Sequence, residues 1–239
     1  MAALPAVAAV VAVLLAVRTA RAGVAGRSPA MACWTLAMTQ FAVAAGCLAW
    51  ATYNGWSPGV YRTYYLLGAI LNVVWLALGT VWLLGTRAVA VGATAGVVAL
   101  SGYAAWRCAG PLLEGAQALS SLGSGVFPAS SSIVPPSVRA LARWCSIGGS
   151  IVVAGGLAWS IARNRDRSRG LILILIGVLF AAAGSELART GHAVAFGAGL
   201  AAAAIAMHTG FIAAERPPAS TSSAPAEPLR PGAAARGRG

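Results

Sequence analysis

Ionisable side chains are rare in the apolar stretches of this chain. Glu186 is the one acid inside a predicted membrane span. An unpaired charge at the centre of a bilayer costs at least about 2.5 kcal/mol, so Glu186 needs a cationic partner. The candidates are Arg189 on the same helix, Arg62 and Arg107. Two interpretations stay open: an ion pair that only locks helix ends together, or an outward-opening polar pocket for an anionic headgroup or small solute.

Other polar residues extend the pocket interpretation. Tyrosines surround Arg62, and His192 follows Arg189 closely. Asn72 lies at mid-depth of its span, where it could hydrogen-bond to Thr39, Gln40 or a backbone carbonyl, or contact a substrate. The predicted ligand-binding residues are Tyr61, Arg62, Tyr65, Asn72, Arg107, Glu186, Arg189 and His192.

Two cysteines flank the one long loop, which runs over residues 108–137. Cys108 and Cys145 fall at the same predicted end of their helices. On an oxidising face they could form a disulfide if their Cα atoms lie within about 7 Å. Cys33 and Cys47 lie within a span, and their types indicate packing.

Several classes of function find no support in the sequence. HExxH, CxxC, GxSxG and P-loop patterns are absent, so no metal, cofactor or catalytic set is predicted. The chain has no lysine, which excludes a retinal Schiff base. The arginines are scattered among the loops, which argues against a nucleic-acid partner. These absences favour a protein that is not an enzyme.

Composition predicts the fold class. Hydrophobic residues make up 59% of the chain and charged residues 9%, whereas soluble domains carry roughly 25% charged residues. We therefore predict an all-α, polytopic transmembrane bundle of seven helices over residues 1–214, followed by a disordered Pro/Ala/Arg-rich tail over residues 215–239. The seven predicted spans are Ala2–Val17, Pro29–Tyr53, Tyr61–Leu84, Val89–Arg107, Val138–Ile161, Gly170–Leu187 and His192–Ala213.

The arginines predict the orientation. With the N-terminus outside and the C-terminus inside, 12 of the 17 basic residues fall on the inner side, and the Arg163–Arg169 run is the strongest contribution. Exclusive use of arginine, with abundant Ala and Gly, suggests a GC-rich bacterial genome and hence a bacterial cytoplasmic membrane.

Small residues indicate how the helices pack. Within Tyr61–Leu84, which we predict to be the organising helix, Gly68, Asn72 and Gly79 share one stripe. Further small residues on the later spans favour a tight intramolecular bundle. The Gly92/Gly96 pair forms a GxxxG motif, which leaves a homodimer open as an alternative.

The block over residues 55–84 carries a resemblance. Its motif is Gly-Trp-x-Pro-x-x-Tyr-Arg-x-Tyr-Tyr, followed by Leu-Asn-Val and Leu-Gly-Thr. This block resembles a family of uncharacterised actinobacterial multi-helix membrane proteins of about seven spans. The resemblance implies topology, and it implies no activity, because none is established for the family.

These features lead to one functional expectation and one alternative. We expect a non-enzymatic membrane module that binds or passes a small solute or lipid at an outer-facing polar pocket. The alternative is a scaffold or accessory subunit of a membrane complex whose polar residues are structural. Both imply the lipid bilayer as the surrounding partner.

Overall fold

Helices account for nearly all of the chain that is described. The computed structural model describes residues 3–109, 128, 133–163, 168–189 and 193–215, except for the side chains of residues 168, 182, 184–189, 193, 214 and 215. Within those ranges there are seven helices and no strand. They are α1 (Ala3–Gly26), α2 (Pro29–Asn54), α3 (Pro58–Leu84), α4 (Arg87–Ala109), α5 (Pro136–Arg163), α6 (Ser168–Arg189) and α7 (Ala193–Glu215).

Length and apolarity confirm the predicted fold class. Six helices are long and apolar enough to cross a membrane, and α6 contributes a shorter apolar stretch, Arg169–Ala181. The predicted span Gly170–Leu187 lies within α6, whose helical backbone continues to Arg189. The predicted tail over residues 215–239 lies outside the described residues, apart from the helical backbone of residue 215.

Proline and a serine cap explain where α3 begins. Ser57 precedes the helix, and its side chain accepts a hydrogen bond from the Val60 backbone N–H at 3.3 Å, while Pro58 occupies the first turn. Proline fits there because the first turn has no internal partner for its missing N–H. The helix therefore begins three residues before the predicted Tyr61. Pro136 likewise opens α5, two residues before the predicted Val138.

Helix α1 is longer than predicted. It continues to Gly26 and carries Arg18 inside the helix, whereas the sequence predicted a span ending at Val17. Thr19 is buried in this added part, and its hydroxyl donates to the Leu15 carbonyl at 3.0 Å. The Thr35 hydroxyl oxygen of α2 lies 3.0 Å from that of Thr19. A polar contact between α1 and α2 thus accommodates the extra turns.

Helix α3 packs against α2, α4 and α5, in keeping with its predicted central place. On the α2 side, a Cβ at Gly68 would lie 2.9 Å from the Ala44 Cβ, and Gly79 lies directly against the Trp34 ring. Glycine is required at these two positions because the neighbouring helix occupies the space of a side chain.

Only one face of α5 uses its glycines for packing. A Cβ at Gly149 would lie 2.6 Å from Val73 Cγ1, and one at Gly156 would collide with Thr80 Cγ2 of α3. Gly148 and Gly155 have no other atom near the Cβ position. The same is true of both glycines of the GxxxG motif on α4, so the predicted homodimer remains a prediction.

The middle of α3 is wound differently from its ends. Residues Tyr65–Leu71 form a π-helix, and the Asn72 backbone N–H donates to the Leu67 carbonyl, five residues back. Such wide turns are rare and frequently occur at functional sites. The π-helix begins at Tyr65 and ends directly before Asn72, and the sequence singled out both of these residues.

Candidate functional site

A cavity of about 540 Å³ lies among α2, α3, α5, α6 and α7. Ligand pockets typically enclose about 300–1,000 Å³, so this cavity has the size of a small-molecule site. It begins near the end of the bundle where α3 and α5 start, which we call the Trp56 end after the residue preceding α3. From there it continues toward the middle of both helices.

One wall of the cavity belongs to α3. Tyr61, Tyr65, Gly68 and Asn72 line it, and their spacing of four, three and four residues keeps them on one side of the helix. The Tyr61 and Tyr65 rings are stacked with centroids 6.0 Å apart, and Trp56 meets Tyr61 edge-on at 5.5 Å. These ring contacts hold the tyrosines of the wall in place.

A second wall of the cavity belongs to α5 and carries positive charge. Arg139, Arg143, Ser146 and Ser150 line it with the same four-three-four spacing. Arg139 is half-buried and Arg143 is exposed. The Nε atom of Arg139 is buried and has no hydrogen-bond partner in the described structure. An unpaired guanidinium N–H beside a cavity marks a position where a ligand acceptor would be stabilised.

The inner end of the cavity is apolar apart from one amide. Its lining there comes from five helices and includes Met38, Leu76, Val153, Val178 and Met207. Asn72 lies next to this region, and its Oδ1 atom is buried without a hydrogen-bond partner among the described residues. A buried acceptor left unpaired costs roughly 1–3 kcal/mol, which a bound donor would recover.

The hydrogen bond predicted between Asn72 and α2 does not form. The Thr39 hydroxyl donates to the Thr35 carbonyl of its own helix at 2.9 Å, and Gln40 Oε1, like Asn72 Oδ1, has no partner in the described ranges. This part of the structural interpretation of Asn72 was wrong. The reason is that Asn72 lines the cavity, whereas the Gln40 side chain does not.

Two of the predicted arginines lie away from the cavity lining. Arg107 ends α4, and its Nη2 atom donates to the Ser137 hydroxyl at 2.8 Å. Arg62 has a buried Nε atom without a partner in the described structure, and both guanidinium groups are close enough to act electrostatically on the Cys108 sulfur. The side chains of Glu186 and Arg189, and all of His192, lie outside the described residues.

The cysteines are free thiols. Cys108 is buried and Cys145 is partly buried, and neither is joined to another cysteine. The structure therefore lacks the Cys108–Cys145 disulfide that the sequence allowed. Among the described residues no group of three His, Cys, Asp or Glu side chains could hold a metal ion.

The sequence-based selection missed the α5 wall. Arg139, Arg143, Ser146 and Ser150 are polar residues at one helical spacing in an otherwise apolar helix, and that spacing was a readable signal. It was overlooked because both arginines were treated as loop-end charges that set topology.

The comparisons with known proteins found no relative. The chain matches no protein-family model, no curated protein and no solved structure. The functional argument therefore rests on the cavity and its lining.

Proposed function

We propose that this protein is a non-enzymatic membrane module that binds or passes a small solute or lipid in the cavity between α3 and α5. The observation that carries the proposal is an unpaired acceptor, Asn72 Oδ1, buried at a cavity of about 540 Å³ that also borders the cationic α5 wall. A helix bundle that needed only tight packing would gain from filling this volume with apolar side chains.

The proposed orientation gives the cavity an outer opening. The excess of arginine on one side of the spans supports an outer N-terminus, which directs the Trp56 end outward. The composition and the resemblance of residues 55–84 support the cytoplasmic membrane of a bacterium as the location. In this arrangement the ligand reaches the cavity from outside or from the outer leaflet.

A blocking substitution tests the proposal. Ser150→Phe places a ring in the cavity, and Ile151→Phe is the matched control because Ile151 is 67% exposed on the outer surface of the same helix. Each full-length variant is purified in a mild non-ionic detergent and weighed by native mass spectrometry. We expect a bound small molecule on the wild type and on Ile151→Phe, and its loss from Ser150→Phe.

Thermal unfolding separates a blocked cavity from a damaged fold. Ser150→Phe should keep the melting temperature of the ligand-free wild type within a few degrees. If the wild type carries no bound molecule, and no lipid or solute raises its melting temperature more than that of Ser150→Phe, the binding proposal is wrong. The scaffold alternative would then be the better account.

A further inference from the structure

The lining of the cavity carries two positive charges at its Trp56 end. Arg139 and Arg143 lie one turn apart on α5, and none of the described lining residues is acidic. An anionic group with two or more oxygens can accept hydrogen bonds from both guanidinium groups at once. Arg139 Nε is a donor without a partner in the described part of the chain. The cationic end therefore selects for an anion.

The other end of the cavity selects for a hydrocarbon chain. Leu76, Val153, Val178 and Met207 offer no polar atom to a ligand, apart from the groups of their backbones. A wholly polar anion would leave this apolar region filled with water, which is unfavourable. A neutral hydrocarbon would leave the arginines without a partner. A ligand that satisfies both ends is an amphiphile with an anionic head.

The dimensions suit a ligand with one chain. From Arg139 to Ser150 the α5 wall rises about 16 Å, at about 1.5 Å per residue. This length suits a head and one extended chain of about 12 carbons, and the cavity volume of about 540 Å³ lies in the range of small-ligand pockets, about 300–1,000 Å³.

We propose that the cavity binds a single-chain anionic amphiphile, with its carboxylate or phosphate head between Arg139 and Arg143 and its chain directed toward Val153 and Met207. This inference rests on the proposed function, because it names the ligand class of the same cavity. Tyr61 of the α3 wall lines the same cavity, and a hydroxyl donor suits an anionic head.

Three probes distinguish the contribution of the head to binding from that of the chain. Dodecyl phosphate carries both, dodecanol carries the chain alone, and inorganic phosphate carries the head alone. Binding of each probe to the full chain in a neutral maltoside detergent is measured by native mass spectrometry over a concentration series. We expect one dodecyl phosphate per protein, bound at least tenfold more tightly than dodecanol, and no inorganic phosphate over the same range.

Substitutions of the two arginines test whether they bind the anionic head. Arg139→Gln/Arg143→Gln should weaken dodecyl phosphate binding at least tenfold and leave dodecanol binding unchanged. Arg107→Gln, at the same end of the bundle but outside the lining, should bind dodecyl phosphate like the wild type. If the double variant does not fold, Arg143→Gln alone makes the comparison, because this side chain is exposed.

Each contrary result has a distinct meaning. Equal affinity for dodecanol and dodecyl phosphate would overturn the anionic assignment and leave the proposed function standing. Equally tight binding of inorganic phosphate would show that the ligand is a free anion. A tenfold gain of dodecyl phosphate affinity in Glu186→Gln would mean that the Glu186 carboxylate already occupies the arginine pair, and would also overturn the assignment. If no probe binds and no molecule copurifies, the proposed function fails as well.

Discussion

Arg107 at the end of α4 donates a hydrogen bond to the Ser137 hydroxyl in the first turn of α5, with Nη2 and Oγ 2.8 Å apart. The same guanidinium lies 6.0 Å from the centroid of the Trp106 ring. These contacts engage the Arg107 guanidinium, which the sequence assigned to a ligand site. Arg107 instead connects two helices on either side of the long loop.

The first prediction concerns this connection. Arg107→Ala should lower the free energy of unfolding by at most about 1 kcal/mol, because a hydrogen bond exposed to solvent contributes little. Ser137→Ala should have a similar effect. Unfolding of both single variants and of the double variant measures the coupling, and strictly additive losses would mean that the two side chains do not interact.

The second prediction uses adjacent glycines on α5. Gly156→Ala should destabilise the bundle by about 1–3 kcal/mol, because the added methyl group meets Thr80 of α3 and overpacks the contact. Gly155→Ala adds the same group to open space, and it should be neutral or stabilising by up to about 1 kcal/mol. Thermal unfolding in one detergent compares them. Equal losses in both variants would contradict the packing of α5 on α3.

A third prediction addresses how α4 is held. The Trp82 indole N–H donates to the Thr94 hydroxyl at 3.0 Å, and that hydroxyl donates to the Ala90 carbonyl at 2.7 Å. Thr94→Val keeps the shape and removes the acceptor, so we expect a loss of roughly 0.6–2 kcal/mol. Ser101→Ala is the control, since its hydroxyl bonds only within α4 among the described contacts. A Thr94→Val protein as stable as the control would show that the bond contributes nothing.

Orientation is the subject of the fourth prediction. Alkaline phosphatase fused after Arg216 should be inactive, because the proposed orientation, with most arginines on the inner side, puts this point in the cytoplasm. A fusion after Gly55, in the connection between α2 and α3, should be active. The reverse pattern would invert the topology and would make the cationic end of the cavity face inward.

Much of the fold could be predicted from the sequence, because the length of an apolar stretch is enough to identify a helix that can span a membrane. The six longest helices each overlap a predicted span, because the spans followed from local rules. The end of α1 was predicted too early because Arg18 was taken as the boundary, yet Thr19 is buried, and the Thr35 hydroxyl oxygen of α2 lies 3.0 Å from that of Thr19. A hydropathy scale does not include a contact between two helices.

Only part of the candidate site could be predicted from the sequence, because its walls come from helices that are distant in sequence. Tyr61, Tyr65 and Asn72, three of the residues predicted for a ligand site because polar groups within a span are unusual, line the cavity. The partners across the cavity depend on which face α5 turns toward α3. That choice follows from the contact of Gly149 with Val73, which no periodicity could have distinguished from the open face at Gly148.

The fifth prediction compares two buried amides. Asn72 Oδ1 and Gln40 Oε1 are both buried without a partner in the described structure, but only Asn72 lines the cavity. Asn72→Leu and Gln40→Leu should each leave the ligand-free protein as stable as the wild type or raise its free energy of unfolding by up to about 2 kcal/mol, because an unpaired buried acceptor is removed. Only Asn72→Leu should change the melting-temperature increase that dodecyl phosphate produces, because only this position lines the cavity that the chain occupies. If both variants retain the full increase, Asn72 contributes nothing to the ligand, and its unpaired oxygen reflects packing alone.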